Sequence, residues 1–418
     1  MQKNRLLSLD VLRGITILMM VIVNNPGNWD AVYPALLHAE WNGCKLADFV
    51  FPFFIFIMGM AIPLAMPNKE YNGTVASKIL VRSLRIICLG LFLNFFTTIT
   101  LFEWTGYTLL GFRLLLTLIV GYALMGNYNE RLKLYVVLFL FTGFMTLAFG
   151  TIMYQEIRIL GVLQRIGIVY FFASLCYLIT TPRTQLLLII LLLMGYWGVM
   201  SCISIPDGIA PNLEKGTNIA AWIDELILGN HVYAGTKPWD PEGLLSTIPA
   251  IAQAMIGVLV GRLILKFSAT QVIKILLFVG TLLIALGIIW SFFFPLNKSL
   301  WSSSYVLYTS GVATLLFCIL YYLIDFKNHK TAFKPLLIWG VNPMIIFFLS
   351  GIIPRALAMI KIMAPEELIT VQNYWYRFVL KPLFENPMNA SLAHTLVFIS
   401  FFHVILLFLY TKKWIIKV

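Results

Sequence analysis

Apolar runs of about twenty residues follow one another along nearly the whole chain. A hydrocarbon layer roughly 30 Å thick is crossed by about 20 such residues in a helix. Twelve runs are predicted as spans, near 6–24, 47–66, 79–97, 107–125, 133–152, 162–180, 185–205, 244–265, 271–293, 303–324, 336–354 and 393–411. The runs are continuous, whereas membrane barrels need alternating segments of about ten residues. Composition agrees. Hydrophobic residues make up 60% and charged residues 11% of the 418, with a mean hydropathy of +0.88. Soluble domains carry about 25% charged residues, so a water-soluble enzyme is excluded. The expected fold is an all-α, polytopic, integral membrane helical bundle of about 12 transmembrane helices. It forms one domain over 1–418, with no repeat, low-complexity tract or hydrophilic module.

The net charge of +12 does not signal nucleic acid. Assigning loops alternately to two sides gives the N-terminal side 19 Lys/Arg and 4 Asp/Glu, and the other side 11 and 14. That asymmetry is the positive-inside pattern. It predicts both termini in the cytoplasm, with Lys412, Lys413 and Lys417 in agreement. Met1–Arg5 is basic, but no small-residue cleavage site follows the first run, so no removable leader is expected. Longer outer loops fall near 25–46, 206–243 and 355–392. They are rich in Trp, Tyr and Asn and read as ordered. Of five cysteines, Cys88, Cys176 and Cys318 lie in apolar runs as small buried hydrophobes. Cys44 and Cys202 fall near the outer face and could pair.

Titratable groups in or at the edge of a membrane are costly and by default mark function. The first two spans concentrate them. Asn24 ends the first, the loop reads His38-Ala-Glu-Trp41-Asn42-Gly, and Asp48 opens the second. These side chains should meet at the outer surface. His38 is the one side chain there of a type whose unperturbed pKa lies near neutrality, and a histidine with a carboxylate partner is a usual general base. Alternatively, Asp48 caps its helix, where a carboxylate suits the dipole, and His38 is an ordinary loop residue.

At the cytoplasmic end, Asp10 and Arg13 share one helical face as an ion pair, or Arg13 faces a phosphate. Lys78, Arg82 and Arg85 form a basic stripe, readable as ordinary positive-inside charge. Gln164 and Arg165 open the sixth span from the outside, where that rule gives Arg165 no reason to be. In the loop Lys237-Pro-Trp239-Asp240-Pro-Glu242-Gly, a Trp and two carboxylates could grip a sugar, or the carboxylates could be helix-start signals. Asn342-Pro343 could break a helix. His394 and His403 read as structural. No His or Cys pair has metal-ligand spacing, and no phosphate-binding or nucleophile-elbow motif stands in its required context.

Several segments in one order resemble the heparan-α-glucosaminide N-acetyltransferase family. They are Arg5-Leu-Leu-Ser-Leu-Asp-Val-Leu-Arg13-Gly, His38-Ala-Glu-Trp-Asn-Gly, Ala47-Asp-Phe-Val-Phe-Pro, Arg158-Ile-Leu-Gly-Val-Leu-Gln-Arg-Ile-Gly, Trp222-Ile-Asp-Glu-Leu-Ile-Leu-Gly, Asp240-Pro-Glu-Gly and Asn297-Lys-Ser-Leu-Trp-Ser-Ser-Ser-Tyr. The resemblance implies acetylation of an amino sugar of glucosamine type at the outer face, with cytosolic acetyl-CoA as co-substrate and no metal. His38 matches the family's catalytic histidine, and Asn24 and Asp48 match polar residues of its active site. Arg5 and Arg13 match basic residues suited to the nucleotide end of CoA, with Arg82, Arg85, Gln164 and Arg165 as further cofactor-binding candidates. Trp41, Asn42, Trp239, Asp240, Glu242 and Asn342 are the substrate-binding candidates. Against the family pattern, the chain lacks a lumenal N-terminal domain and first span, and inserts a helix pair near 107–152.

The expected partners are the acceptor sugar and membrane lipid, without nucleic acid, and a homodimer is left open. The cytoplasmic membrane of a bacterium is the expected location. A secondary transporter of N-acetylglucosamine or related amino sugars is the alternative. Transporters often show related halves, and none is visible here. The outer polar cluster disfavours a non-catalytic scaffold.

Overall fold

The computed structural model describes residues 6–206, 208–364 and 367–416, so Arg5 and Lys417 lie outside the described residues. The chain forms an all-α polytopic membrane bundle. Its helices are α1 (Leu7–Asn24), α2 (Val50–Ala65, entered through a single turn at Leu46–Phe49), α3 (Gly73–Phe95), α4 (Gly106–Met125), α5 (Glu130–Gly150), α6 (Val162–Ile179) and α7 (Pro182–Cys202). They continue with α8 (Ile219–Leu228), α9 (Thr247–Lys266), α10 (Ala269–Ser291), α11 (Ser303–Leu320), α12 (Lys334–Val341), α13 (Pro343–Met359), α14 (Val371–Tyr374) and α15 (Pro387–Thr411). A two-stranded hairpin, Lys361–Met363 with Leu368–Thr370, precedes α14.

Among the described residues, ten helices are long and apolar enough to cross a membrane, and the pair α12–α13 adds an eleventh if counted as one span. That pair corrects the continuous span expected at 336–354: it is bent by 63° at Asn342-Pro343. Proline has no N–H to continue the ladder and disfavours helix in the residue before it. Helix α3 falls outside the apolar count because it carries Lys78, Arg82 and Arg85. It begins at Gly73 rather than 79, where the Asn72 side chain accepts a hydrogen bond from Val75 N–H. Its 23 residues span ~34 Å and run antiparallel to α6. Arg82 lies over the Tyr170 ring at 4.8 Å, and Asn94 Nδ2 donates to the Arg158 carbonyl at 2.7 Å. Helix α15 starts at Pro387, six residues before the expected 393, because Asn386 caps it and Pro387 tolerates the first turn.

Lipid offers little hydrophobic drive between helices, so close packing of small residues takes over. A Cβ on Gly59 of α2 would sit 2.0 Å from the Ala254 carbonyl oxygen of α9, and one on Gly257 would sit 2.3 Å from the Phe56 oxygen. This contact fixes α2 deep in the bundle. By contrast α5, α7 and α10 bury only 17%, 28% and 22% of their apolar windows, so each presents most of its surface to lipid.

The three long segments converge on the end that carries His38. Trp41 Nε1 donates to the Leu213 carbonyl at 3.0 Å, Gly27 N–H to the Ser391 carbonyl at 3.3 Å, and Thr395 Oγ1 to the Asn25 carbonyl at 2.9 Å. The opposite end closes through Tyr177 OH to the Met66 carbonyl and Lys69 Nζ to the Thr180 carbonyl. All five cysteines are free, so Cys44 and Cys202 do not pair.

Candidate active site

Asp48 is buried in the turn that starts α2, and both its carboxylate oxygens and its main-chain carbonyl have partners. Its Oδ2 accepts from Ala39 N–H at 3.1 Å and Lys45 N–H at 2.9 Å, and its Oδ1 lies 2.7 Å from His38 Nδ1. Tyr305 OH on α11 donates to its main-chain carbonyl. Two backbone donors on one carboxylate oxygen fix the plane of the other, so Asp48 orients the imidazole. The His38 side chain is 47% exposed, which leaves the rest of the ring open to a cleft of about 180 Å³. His38, Trp41, Asp48, Lys215, Trp239 and Lys298 line it.

Lys298 was missed as a site residue. Its Nζ lies 3.2 Å from both ring nitrogens of His38. Burial lowers the basicity of its amine, against the opposing pull of Glu242 and Asp48. The loop carrying it is pinned to the His38 loop: Gly43 N–H donates to the Leu296 carbonyl at 2.7 Å, and Asn297 Nδ2 to Asn42 Oδ1 at 3.2 Å. Trp301 follows, packing edge-on against Phe51 and Tyr305 and donating from Nε1 to Gln253 Oε1 at 2.9 Å. A signal was available. Lys298 stands on the side where positive-inside sorting explains no lysine, the same reasoning that singled out Arg165.

Trp41 and Trp239 meet edge to face at 5.3 Å, forming an aromatic wall. Asp240 and Glu242 do not line this cleft with them. Arg158 holds Asp240 through Nε at 2.8 Å and Nη2 at 2.5 Å, and also pairs with Glu242. A charge-assisted fork of this kind satisfies both oxygens of the carboxylate. Burial alone would push the Glu242 carboxyl up, but Arg158, then Arg165 and Lys298, hold it below the ordinary carboxylate range. Asp224 of α8 accepts from Asp240 N–H and Leu244 N–H, and burial raises its carboxyl to about 6. This buried network holds Trp239 in the cleft wall.

The other candidates scatter. Asn24 is exposed at the end of α1, and its side chain makes no hydrogen bond among the described residues. Asn342 lies at the end opposite His38, where its side chain binds the Trp414 carbonyl and Ile416 N–H; it does not join the substrate cleft. Arg165 is fully buried, donating to the Gly243 carbonyl and Ser246 Oγ beneath the cleft. Gln164 packs its amide against Gly90 of α3. Arg13 pairs with Asp10 at 2.7 Å and reaches the Gly340 carbonyl at 3.3 Å. Arg85 is buried and donates to the Gly126 carbonyl at 3.1 Å, while Arg82 is exposed. Among the described residues, no group of three His, Cys, Asp or Glu is placed to hold a metal.

Comparison with known proteins finds one family to which part of the chain is similar. The model described as "Heparan-alpha-glucosaminide N-acetyltransferase, catalytic" matches residues 5–146. A protein of that name from Homo sapiens is 29% identical over 401 residues, covering 82% of this chain and 52% of its own length. The protein of that name from Mus musculus is 28% identical over 402 residues, covering 82% and 53%. The chain thus spans about half the length of the curated relatives it matches.

Proposed function

Because the chain is a relative of the heparan-α-glucosaminide N-acetyltransferases, we propose that it transfers the acetyl group of acetyl-CoA to the amine of an amino sugar at the His38 end of the bundle. The observation that carries the reading is the 2.7 Å contact between His38 Nδ1 and Asp48, with the remainder of the ring facing a cleft walled by two tryptophans. With Nδ1–H donated to Asp48, Nε2 is left with its lone pair. It accepts the proton that the acceptor amine must lose as its nitrogen attacks the thioester carbon. The C–S bond then breaks, and the proton passes from the imidazolium to the CoA thiolate. Trp41 and Trp239 supply faces for a sugar ring. The tetrahedral oxyanion needs an N–H donor. Asn24 stands apart, Asn42 keeps its amide N–H donors because only its oxygen is used by Asn297, and Lys298 is the nearest donor to the imidazole.

The charge asymmetry supports a cytoplasmic assignment for the opposite end and for both termini, in the cytoplasmic membrane of a bacterium. Arg13 and Arg82 on that side suit the phosphates of CoA, and Arg5, outside the described residues, is the further candidate. The pantetheine arm covers roughly two thirds of a layer about 30 Å thick, so the thioester can approach His38 from within the bundle.

The decisive experiment incubates purified protein with acetyl-CoA and glucosamine and follows free CoA. His38→Ala should bind acetyl-CoA as wild type does, yet release CoA at least about a hundredfold more slowly, the scale of general-base removal. Wild-type turnover in a folded His38→Ala protein refutes the base. Uptake of amino sugar with no acetylation by wild type replaces the enzyme with a transporter.

A further inference from the structure

A primary amine already sits where an acceptor amine would be deprotonated. Lys298 Nζ lies 3.2 Å from both His38 Nδ1 and Nε2. Among the described residues it makes no salt bridge, and with Nδ1–H given to Asp48 the imidazole Nε2 is its hydrogen-bond partner. The loop that presents it is held rigidly by the Asn297 contacts to Asn42 and Leu300 and by the buried Trp301. Lys215 lines the same cleft but is exposed and makes no contact with His38. Resting on the reading that acetyl-CoA is presented at His38, we infer that Lys298 is a self-acetylation site, modified when no acceptor fills the cleft.

The step balances without a further reactant. The uncharged Nζ attacks the thioester carbon of acetyl-CoA, forming a C–N bond as the C–S bond breaks. The proton released by the nitrogen passes to His38 Nε2 and on to the departing thiolate, giving acetyl-lysine and free CoA. Burial favours the uncharged amine that this attack needs. Acetylation removes the lysine's charge and leaves a bulky amide beside the imidazole. The protein would thereby close its own cleft in the absence of sugar.

The test incubates the purified full chain in detergent with acetyl-CoA alone, then maps modified peptides by mass spectrometry and assays the same sample for glucosamine acetylation. One acetyl group on Lys298 is expected. The label should fall about a hundredfold in His38→Ala, the scale set by loss of a general base, and should be suppressed in wild type by saturating glucosamine. An unmodified Lys298 in a sample that acetylates glucosamine overturns the inference and leaves the enzymatic reading standing. Label on Lys215, label spread over exposed lysines, or equal label in His38→Ala also overturns it. Modification of Lys298 in a protein that acetylates no amino sugar supports the inference and removes the proposed acceptor. A preparation that does neither overturns both.

Discussion

Replacing Asp48 by asparagine changes one atom and should disable the base without removing it. The Oδ2 position receives two backbone N–H groups, from Ala39 at 3.1 Å and Lys45 at 2.9 Å. Only the amide oxygen can accept them, so the amide NH2 is forced toward His38 Nδ1, 2.7 Å away in the native pair. An NH2 group there requires Nδ1 to accept. The ring proton must then sit on Nε2, which loses the lone pair that takes the proton from the amine. A histidine held in the wrong tautomer is lost as a base, and general-base removal costs about 10² to 10⁴ in rate. That corresponds to roughly 3 to 5 kcal/mol of activation free energy. The folding cost is smaller, since a neutral hydrogen bond replaces a charge-assisted one at about 1 to 2 kcal/mol. CoA release with glucosamine, compared with acetyl-CoA binding by calorimetry in the same preparation, separates the two effects. The variant should bind acetyl-CoA normally and turn over as poorly as His38→Ala. Activity within about tenfold of wild type, well short of that loss, would show that Asp48 does not set the tautomer.

Arg13→Ala should weaken acetyl-CoA binding, and by a larger factor at low salt, because ion pairing near a surface is screened as salt rises; unchanged affinity in titrations at two ionic strengths refutes a CoA role. Glu225→Cys, exposed on α8, should react with an impermeant maleimide in intact cells, and labelling only after permeabilisation would invert the assigned orientation. The Asp224 carboxyl, raised by burial from 3.8 to about 6, binds its proton more tightly folded than unfolded. The folded state therefore gains stability as pH falls from about 6 toward 4, by up to about 3 kcal/mol from this group. Asp224→Asn should flatten that part of the melting profile in detergent, and an unchanged pH dependence would exclude Asp224 as its source.

The all-α polytopic class, membrane residence and the closeness of His38 to Asp48 were legible before any coordinates. The first two follow from run length alone, because a lipid layer demands about 20 apolar residues per crossing. The third follows because the end of one span and the start of the next must share a surface. The hydrogen-bond partners of Asn342 and of the pair Asp240 and Glu242 were not legible, for a single reason. Sequence reports that a polar side chain lies near an interface, but it does not report which other polar group satisfies it. Asn342 is used by the C-terminal backbone at the opposite end, and the two carboxylates are used by Arg158, 82 and 84 positions away.

Lys298 reaches His38 across 260 positions, a contact that depends on how α11 and its preceding loop dock against α2. The helix periodicity of either segment is silent about that docking. It is decided by Tyr305 OH donating to the Asp48 carbonyl, by Trp301 packing edge-on against Phe51, and by the turn that Asn297 ties between Asn42 and Leu300. The apolar pattern determined that this chain would be a bundle with its polar cluster at one end. Which cation would stand over the imidazole was settled only by packing, because in lipid every helix is apolar enough to face any other and only shape discriminates.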